Sequence, residues 1–128
     1  MGLENLAAAE ATGLLYLRFD AHRCLAFAHF HRGELDEAER ICAAGAEVVA
    51  DSESRVSKIW LGPLQLDTFF AQARKFQSEH KTDEAKDKLR VAAGVLARYQ
   101  VLVAECQSPY FVREAERLAR ELEQLQLT

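Results

Sequence analysis

Three histidines and one cysteine lie within the ten residues from His22 to His31. Imidazole nitrogen and thiolate sulfur are ligands that zinc prefers, so a metal site is the first chemistry to consider. Residues seven apart share one face of a helix, so the pair His22 and His29 faces away from the pair Cys24 and His31. One helix cannot bring all four side chains to one ion. We therefore expect no metal and no other cofactor, and we interpret the histidines as packed or hydrogen-bonded side chains.

Paired carboxylates are a second possibility, because two neighbouring acids can act as general acid and general base. Most of the candidates begin a predicted helix, where the helix dipole favours negative charge and is enough to explain them. The chain also lacks the glycine-containing motifs of serine hydrolases, P-loop proteins and dinucleotide-binding proteins. We therefore expect no catalytic residue and no enzyme activity. The acids considered are Asp20, Glu34, Asp36, Glu37 and Glu39.

The composition indicates a single all-α domain over residues 1–128. Hydrophobic residues make up 49% of the 128 residues and charged residues 28%, with only two prolines and six glycines. So few helix breakers among many Ala, Leu, Glu and Arg residues favour helix, and no alternating run predicts a strand. The formal net charge of −4 gives no positive field for nucleic acid or anionic lipid. No apolar run approaches the roughly 20 residues of a membrane helix. We expect no nucleic-acid and no membrane partner.

The cysteines Cys24, Cys42 and Cys106 are odd in number and far apart in the chain. That pattern is typical of buried, reduced thiols in a cytosolic protein. The first residues also lack the basic segment and apolar run of a secretory signal. We therefore predict a cytoplasmic location.

The apolar spacing predicts six helices that stack as antiparallel hairpins. Gly33 can end a helix in the left-handed conformation without a Cβ clash. Pro63 can begin a helix or kink a continuous one, and we favour a start near Pro63 with a shorter turn of helix before it. The last helix has a polar outer face, which would suit a cap at the end of the stack. Alternatively, its apolar stripe would form a dimer seam, so we expect a monomer or a weak homodimer. The expected helices are 3–12, 15–32, 34–50, 63–79, 82–105 and 110–125, with a first hairpin over 14–50, a second over 63–105 and the capping helix within 108–128.

The sequence at the first of these corners recurs later in the chain. "GELDEAER" (33–40) and "HKTDEAKD" (80–87) share Asp-Glu-Ala, and the offset from Ala38 to Ala85 is 47 residues. Small residues allow two helices to approach closely, and a ring fills the space one turn away. The recurrence predicts a repeat of helix pairs. Further pairs at the same offset are Ala26 with Ala73, His29 with Phe76, and Gly45 with Ala92.

This order of small residue, ring, turn, alanine and small residue resembles the tetratricopeptide repeat. The length of 47 residues and the missing closing proline are similar to the longer, degenerate repeats of MalT-type bacterial regulators. The resemblance implies a right-handed superhelix that serves as an interaction module or adaptor and binds a protein or peptide in a concave groove. The residues that carry it are Ala26, His29, Gly33, Ala38 and Gly45, then Ala73, Phe76, Ala85 and Ala92, with His80 in place of the glycine.

The resemblance also implies which side chains face the groove. Each of two stripes, related by the same offset, begins with an aspartate and contains an aromatic ring and an arginine, a pairing that is frequent at binding hot spots. Such a groove suits a peptide with acidic and apolar anchors. A competing interpretation makes Phe27 and Phe70 plain core, and an alternative function is a helical-bundle ligand sensor or enzyme with a pocket lined by residues 19–31. The expected partner-binding residues are Asp20, Arg23, Phe27 and Phe30, and then Asp67, Phe70, Arg74 and Gln77.

Overall fold

The protein is all-α, as the sequence predicts. The computed structural model describes residues 2–50 and 55–128, and the side chains of 13–50 and 58–128; these residues contain no strand. None of the described helices is long and apolar enough to cross a membrane. The helices are α1 (Gly2–His31), α2 (Leu35–Val48), α3 (Arg55–Ser78), α4 (Thr82–Cys106) and α5 (Pro109–Leu127).

The prediction of six helices is wrong, because the first two are one continuous helix, α1. Glycine inside a helix costs only about 1 kcal/mol relative to alanine. Ending the helix at Gly13 would leave backbone carbonyl groups without intrahelical partners, so the helix continues through this residue. The favoured start at Pro63 is also wrong, and the alternative of a continuous helix is right, since α3 begins at Arg55 and contains the proline. Ile59 and Leu61 are buried, and their packing holds the turns of helix that precede the proline.

The two hairpin corners have the same backbone geometry. Gly33 is left-handed with φ of 78°, as predicted, and His80 is left-handed with φ of 60°. These residues are 47 apart, so the offset found in the sequence also relates the turns. One hydrogen bond closes each corner at equivalent positions: from the Glu34 amide to the His29 carbonyl at 3.0 Å, and from the Lys81 amide to the Phe76 carbonyl at 2.8 Å.

Small residues allow the helices of each hairpin to pack closely. The short corners make α1 antiparallel to α2 and α3 antiparallel to α4. A Cβ atom on Gly45 would lie 3.1 Å from the Cβ of His22, so these two helices are in close contact. The repeated small positions of the sequence pattern are buried in both hairpins: Ala26, Ala38, Ala73, Ala85 and Ala92.

The hairpins are joined along α3. This helix contacts α2 and α1 of the first hairpin, and α5 packs against both α3 and α4. The larger core lies among α3, α4 and α5. A smaller core lies between α1 and α2 and is completed by Leu61 from α3.

A partly buried polar network also ties the hairpins together. The side-chain amide of Gln72 in α3 donates to Asp36 at 3.0 Å and to Glu39 at 2.8 Å, both in α2. The ammonium of Lys88 in α4 donates to Glu39 at 2.7 Å. Hydrogen bonds to charged groups are stronger than neutral ones, so this network fixes how α2 lies against the second hairpin.

The cysteines differ in environment. Cys42 is buried in the smaller core, and burial raises the pKa of its thiol to about 11, with a further contribution from Glu39. Cys24 and Cys106 are exposed. The expectation of buried thiols is therefore right for Cys42 and wrong for the other two, which lie on outward faces of α1 and at the end of α4.

Candidate functional site

A groove with aromatic walls lies where α1, α3 and the first turn of α5 meet. Its volume is about 280 Å³. Each of the three helices contributes at least one aromatic side chain, while Pro63 and Leu64 of α3 add aliphatic surface. We call it the aromatic groove, and its lining consists of Arg23, Phe27, Phe30, His31, Trp60, Pro63, Leu64, Asp67, Tyr110 and Phe111.

The α1 wall of the groove is formed by three rings at helical spacing. Phe27 and His31 are four residues apart, and their ring centroids lie 4.2 Å apart in an edge-to-face arrangement. Phe30 packs against the same imidazole at 5.3 Å. Phe27 is nevertheless 54% exposed. This wall is therefore organised by ring contacts within one helix while much of it remains open to solvent.

The opposite wall joins α3 to α5. The ring centroids of Trp60 and Tyr110 lie 6.2 Å apart and are tilted by 36°. Phe111 meets both rings edge-on, each at 5.1 Å. Phe111 is buried, whereas Trp60 is 46% exposed and Tyr110 49% exposed. A buried ring therefore fixes two rings that present apolar surface to solvent.

One cation and one carboxylate lie beside the rings. Arg23 donates to Asp20 through Nη2 at 2.8 Å, and this hydrogen bond raises the pKa of the guanidinium. Asp67 accepts two hydrogen bonds from Arg117 of α5, at 3.2 and 3.3 Å. Burial raises the pKa of Asp67 above its ordinary value, although Arg117 acts in the opposite direction. Both charges are already paired within the fold.

The structure brings the first predicted stripe and one residue of the second to the groove. Arg23, Phe27, Phe30 and Asp67 line it, and Asp20 lies beside it as the partner of Arg23. The sequence prediction therefore named residues on one side of a surface depression. It did not locate the side formed by α5.

The rest of the second stripe lies along the contact with α5 and does not line the groove, and the expected partner-binding role is wrong for the buried Phe70. Phe70 is fully buried in the larger core. Arg74 forms an ion pair with Glu121 of α5, and the side-chain amide of Gln77 donates to the carbonyl of Leu125 at 3.2 Å. The physical reason is that α5 packs on this face of α3, and the competing interpretation of Phe70 as core is the correct one.

The residues considered for metal or acid–base chemistry have other partners. Nδ1 of His22 donates to the Arg18 carbonyl at 2.7 Å, and Nδ1 of His29 donates to Glu34 at 2.8 Å. Glu37 pairs with Arg40. Among the side chains that the structure describes, no three His, Cys, Asp or Glu residues are grouped to hold a metal ion.

Sequence reasoning missed Trp60, Tyr110 and Phe111. Two signals were available: Trp60 is the only tryptophan of the chain, and "PYF" (109–111) places two rings in the first turn of a helix that Pro109 begins. Neither signal reveals that both segments line one depression with α1, because that arrangement depends on how α5 docks against α3 and α4.

Comparisons of the chain with protein-family models, with curated proteins and with solved structures found no match. The groove itself is therefore the main guide to function.

Proposed function

We propose that this protein is a tetratricopeptide-like interaction module that binds a protein or peptide segment in the aromatic groove. The observation that carries the proposal is the convergence of Phe27, Trp60 and Tyr110 from three different helices on one depression, each about half exposed. Aromatic residues grouped at the centre of a surface patch are typical of binding hot spots.

The two equivalent corners support the repeat architecture that this proposal includes. In both, a left-handed residue is followed by an alanine that is buried at the start of the next helix, Ala38 and Ala85. Repeat folds bind partners on the surface formed by successive first helices. Here α1 and α3 are the first helices of the two hairpins, and the aromatic groove lies between them.

The exposed walls of the groove favour a macromolecular segment over a small molecule. Small-molecule sites enclose most of their ligand and usually measure about 300–1,000 Å³. The aromatic groove has about 280 Å³ and walls that are half exposed. A sensor or enzyme pocket formed by residues 19–31 would need to be more enclosed, so that alternative receives no support from this geometry.

The test is partner capture from the source cells with matched variants. Phe27→Ala and Trp60→Ala should each reduce the capture of specific partners about tenfold or more, since truncating a hot-spot ring costs at least 2 kcal/mol of binding. Tyr16→Ala is the control, because Tyr16 is an equally exposed ring of α1 outside the groove. Circular dichroism of each variant verifies the fold. Unchanged capture by both groove variants would show that the groove is not the binding surface.

A further inference from the structure

We propose that the occupant of the aromatic groove is a proline-rich segment in the polyproline II conformation. The inference deepens the proposed function and rests on it. It follows from three properties of the groove: its size, the state of the backbone that lines it, and its balance of hydrogen-bond donors and acceptors.

The small size of the groove favours a short extended segment over a helical ligand. A helix with its side chains is about 10–12 Å in diameter and needs a long trough of corresponding width. The groove encloses about 280 Å³ between Phe27 and His31 on one wall and Trp60 and Tyr110 on the other. That volume suits a few residues of extended chain, whose side chains would enter between the rings.

The lining backbone excludes a ligand that adds to a sheet. Strand addition requires a row of unpaired main-chain groups along one edge. All lining residues belong to α1, α3 or α5, where the backbone is hydrogen-bonded within the helix. Only the first turn of α5, at Tyr110 and Phe111, has amides without an intrahelical acceptor. Two neighbouring amides cannot pair with a strand, so an extended ligand here cannot depend on main-chain pairing, and polyproline II is an extended conformation that needs none.

The side chains of the groove are rich in donors and poor in acceptors. Trp60 carries an indole N–H, and Tyr110 carries a hydroxyl whose hydrogen bond to Glu114 is long, at 3.5 Å. Arg23 bonds Asp20 through Nε and Nη2, and its guanidinium has further N–H groups. The carboxylate in the lining, Asp67, already accepts two hydrogen bonds from Arg117. A proline-rich segment exposes carbonyl acceptors and has few amide donors, so it complements this surface. Proline rings also pack well on exposed aromatic faces, and the stiff chain loses little entropy on binding.

The experiment uses Trp60, the only tryptophan, as a fluorescent reporter inside the groove. The full chain is titrated with a blocked octaproline peptide, a Gly/Ser peptide of equal length, and an amphipathic Ala/Leu/Glu/Lys helical peptide. We expect a saturable change of Trp60 emission with octaproline. The other two peptides should bind at least about tenfold more weakly or not at all. Phe27→Ala and Tyr110→Ala should each weaken octaproline binding about tenfold. Tyr16→Ala should leave it unchanged.

The outcomes separate this inference from the proposed function. Preferential binding of the helical peptide would overturn the proline-rich occupant but leave the groove as a binding site. If no peptide changes the Trp60 emission but Phe27→Ala and Trp60→Ala still lose captured partners, the proline-rich occupant is likewise overturned and the groove remains a binding site. No response together with unchanged capture would overturn both. Equal binding of octaproline by wild type and Phe27→Ala would place the peptide elsewhere and also refute the inference.

Discussion

Gly33 and His80 adopt the same left-handed conformation at equivalent corners, although their side chains differ completely. A Cβ atom added to Gly33 would meet no atom within 4 Å. The requirement for glycine there is therefore set by the backbone conformation and not by crowding. His80 carries a Cβ in the same conformation, which costs about 1–2 kcal/mol relative to ordinary helical geometry. The second corner is therefore strained by its residue type.

This difference predicts opposite effects at the two corners. Gly33→Ala should lower the free energy of unfolding by about 1 kcal/mol, and His80→Gly should raise it by about 0.5–1 kcal/mol. Urea denaturation of both variants measures the change. The same sign of effect for both substitutions would show that side-chain contacts of His80, and not backbone conformation, decide the second corner.

At the scale of the helices, α3 approaches α4 closely where Gly62 faces the ring of Tyr99. A Cβ atom on Gly62 would lie 2.5 Å from a ring carbon of Tyr99. Tyr99 is 2% exposed, and its hydroxyl is buried without a hydrogen-bond partner among the described residues. The ring cannot withdraw easily, so α3 can come this close to Tyr99 only because residue 62 has no side chain.

We therefore expect Gly62→Ala to lower the free energy of unfolding by about 1–3 kcal/mol, because overpacking a buried contact forces side chains or backbone to shift. Gly94→Ala in α4 is the matched control. The nearest atom to its added Cβ is Nη1 of Arg98 at 3.9 Å. It should raise the free energy by about 0.5–1 kcal/mol through helix propensity alone. Thermal and urea denaturation measure both; a stabilising Gly62→Ala would contradict the close contact.

These elements also show what the sequence could predict. The all-α class, the corner at Gly33 and the buried alanines follow from local spacing and from one repeat offset, and the structure bears them out. The start of α3 could not be predicted from local spacing, because burial of Ile59 and Leu61 overrides the helix-breaking tendency of Gly62-Pro63. Half of the groove was likewise out of reach, since Trp60 and Tyr110 are 50 residues apart in the chain. Only the docking of α5 brings their rings together.

At the scale of the molecule, α5 completes both the larger core and the aromatic groove. Its residues Leu118 and Leu122 are buried with residues of α3 and α4. Its charged face adds the ion pairs of Arg117 with Asp67 and of Glu121 with Arg74. The first turn of the same helix supplies Tyr110 to the groove. Stability and the proposed binding surface therefore depend on the same helix.

Removing residues 108–128 should thus uncover the apolar sides of α3 and α4, including Phe70, Leu96 and Val103, which are all buried in the intact chain. Large exposed apolar patches lead to association, so the truncated protein should elute as oligomers in gel filtration and lose its cooperative thermal transition.

Truncation after Gln126 is the control, because it removes the 83% exposed Leu127 and leaves the buried residues of α5 in place. That shorter deletion should leave the elution volume unchanged and shift the thermal midpoint by no more than a few degrees, since surface changes have little effect on the free energy of unfolding. A monomeric, cooperatively unfolding protein without 108–128 would show that α3 and α4 form a complete core alone, and that α5 serves only the groove.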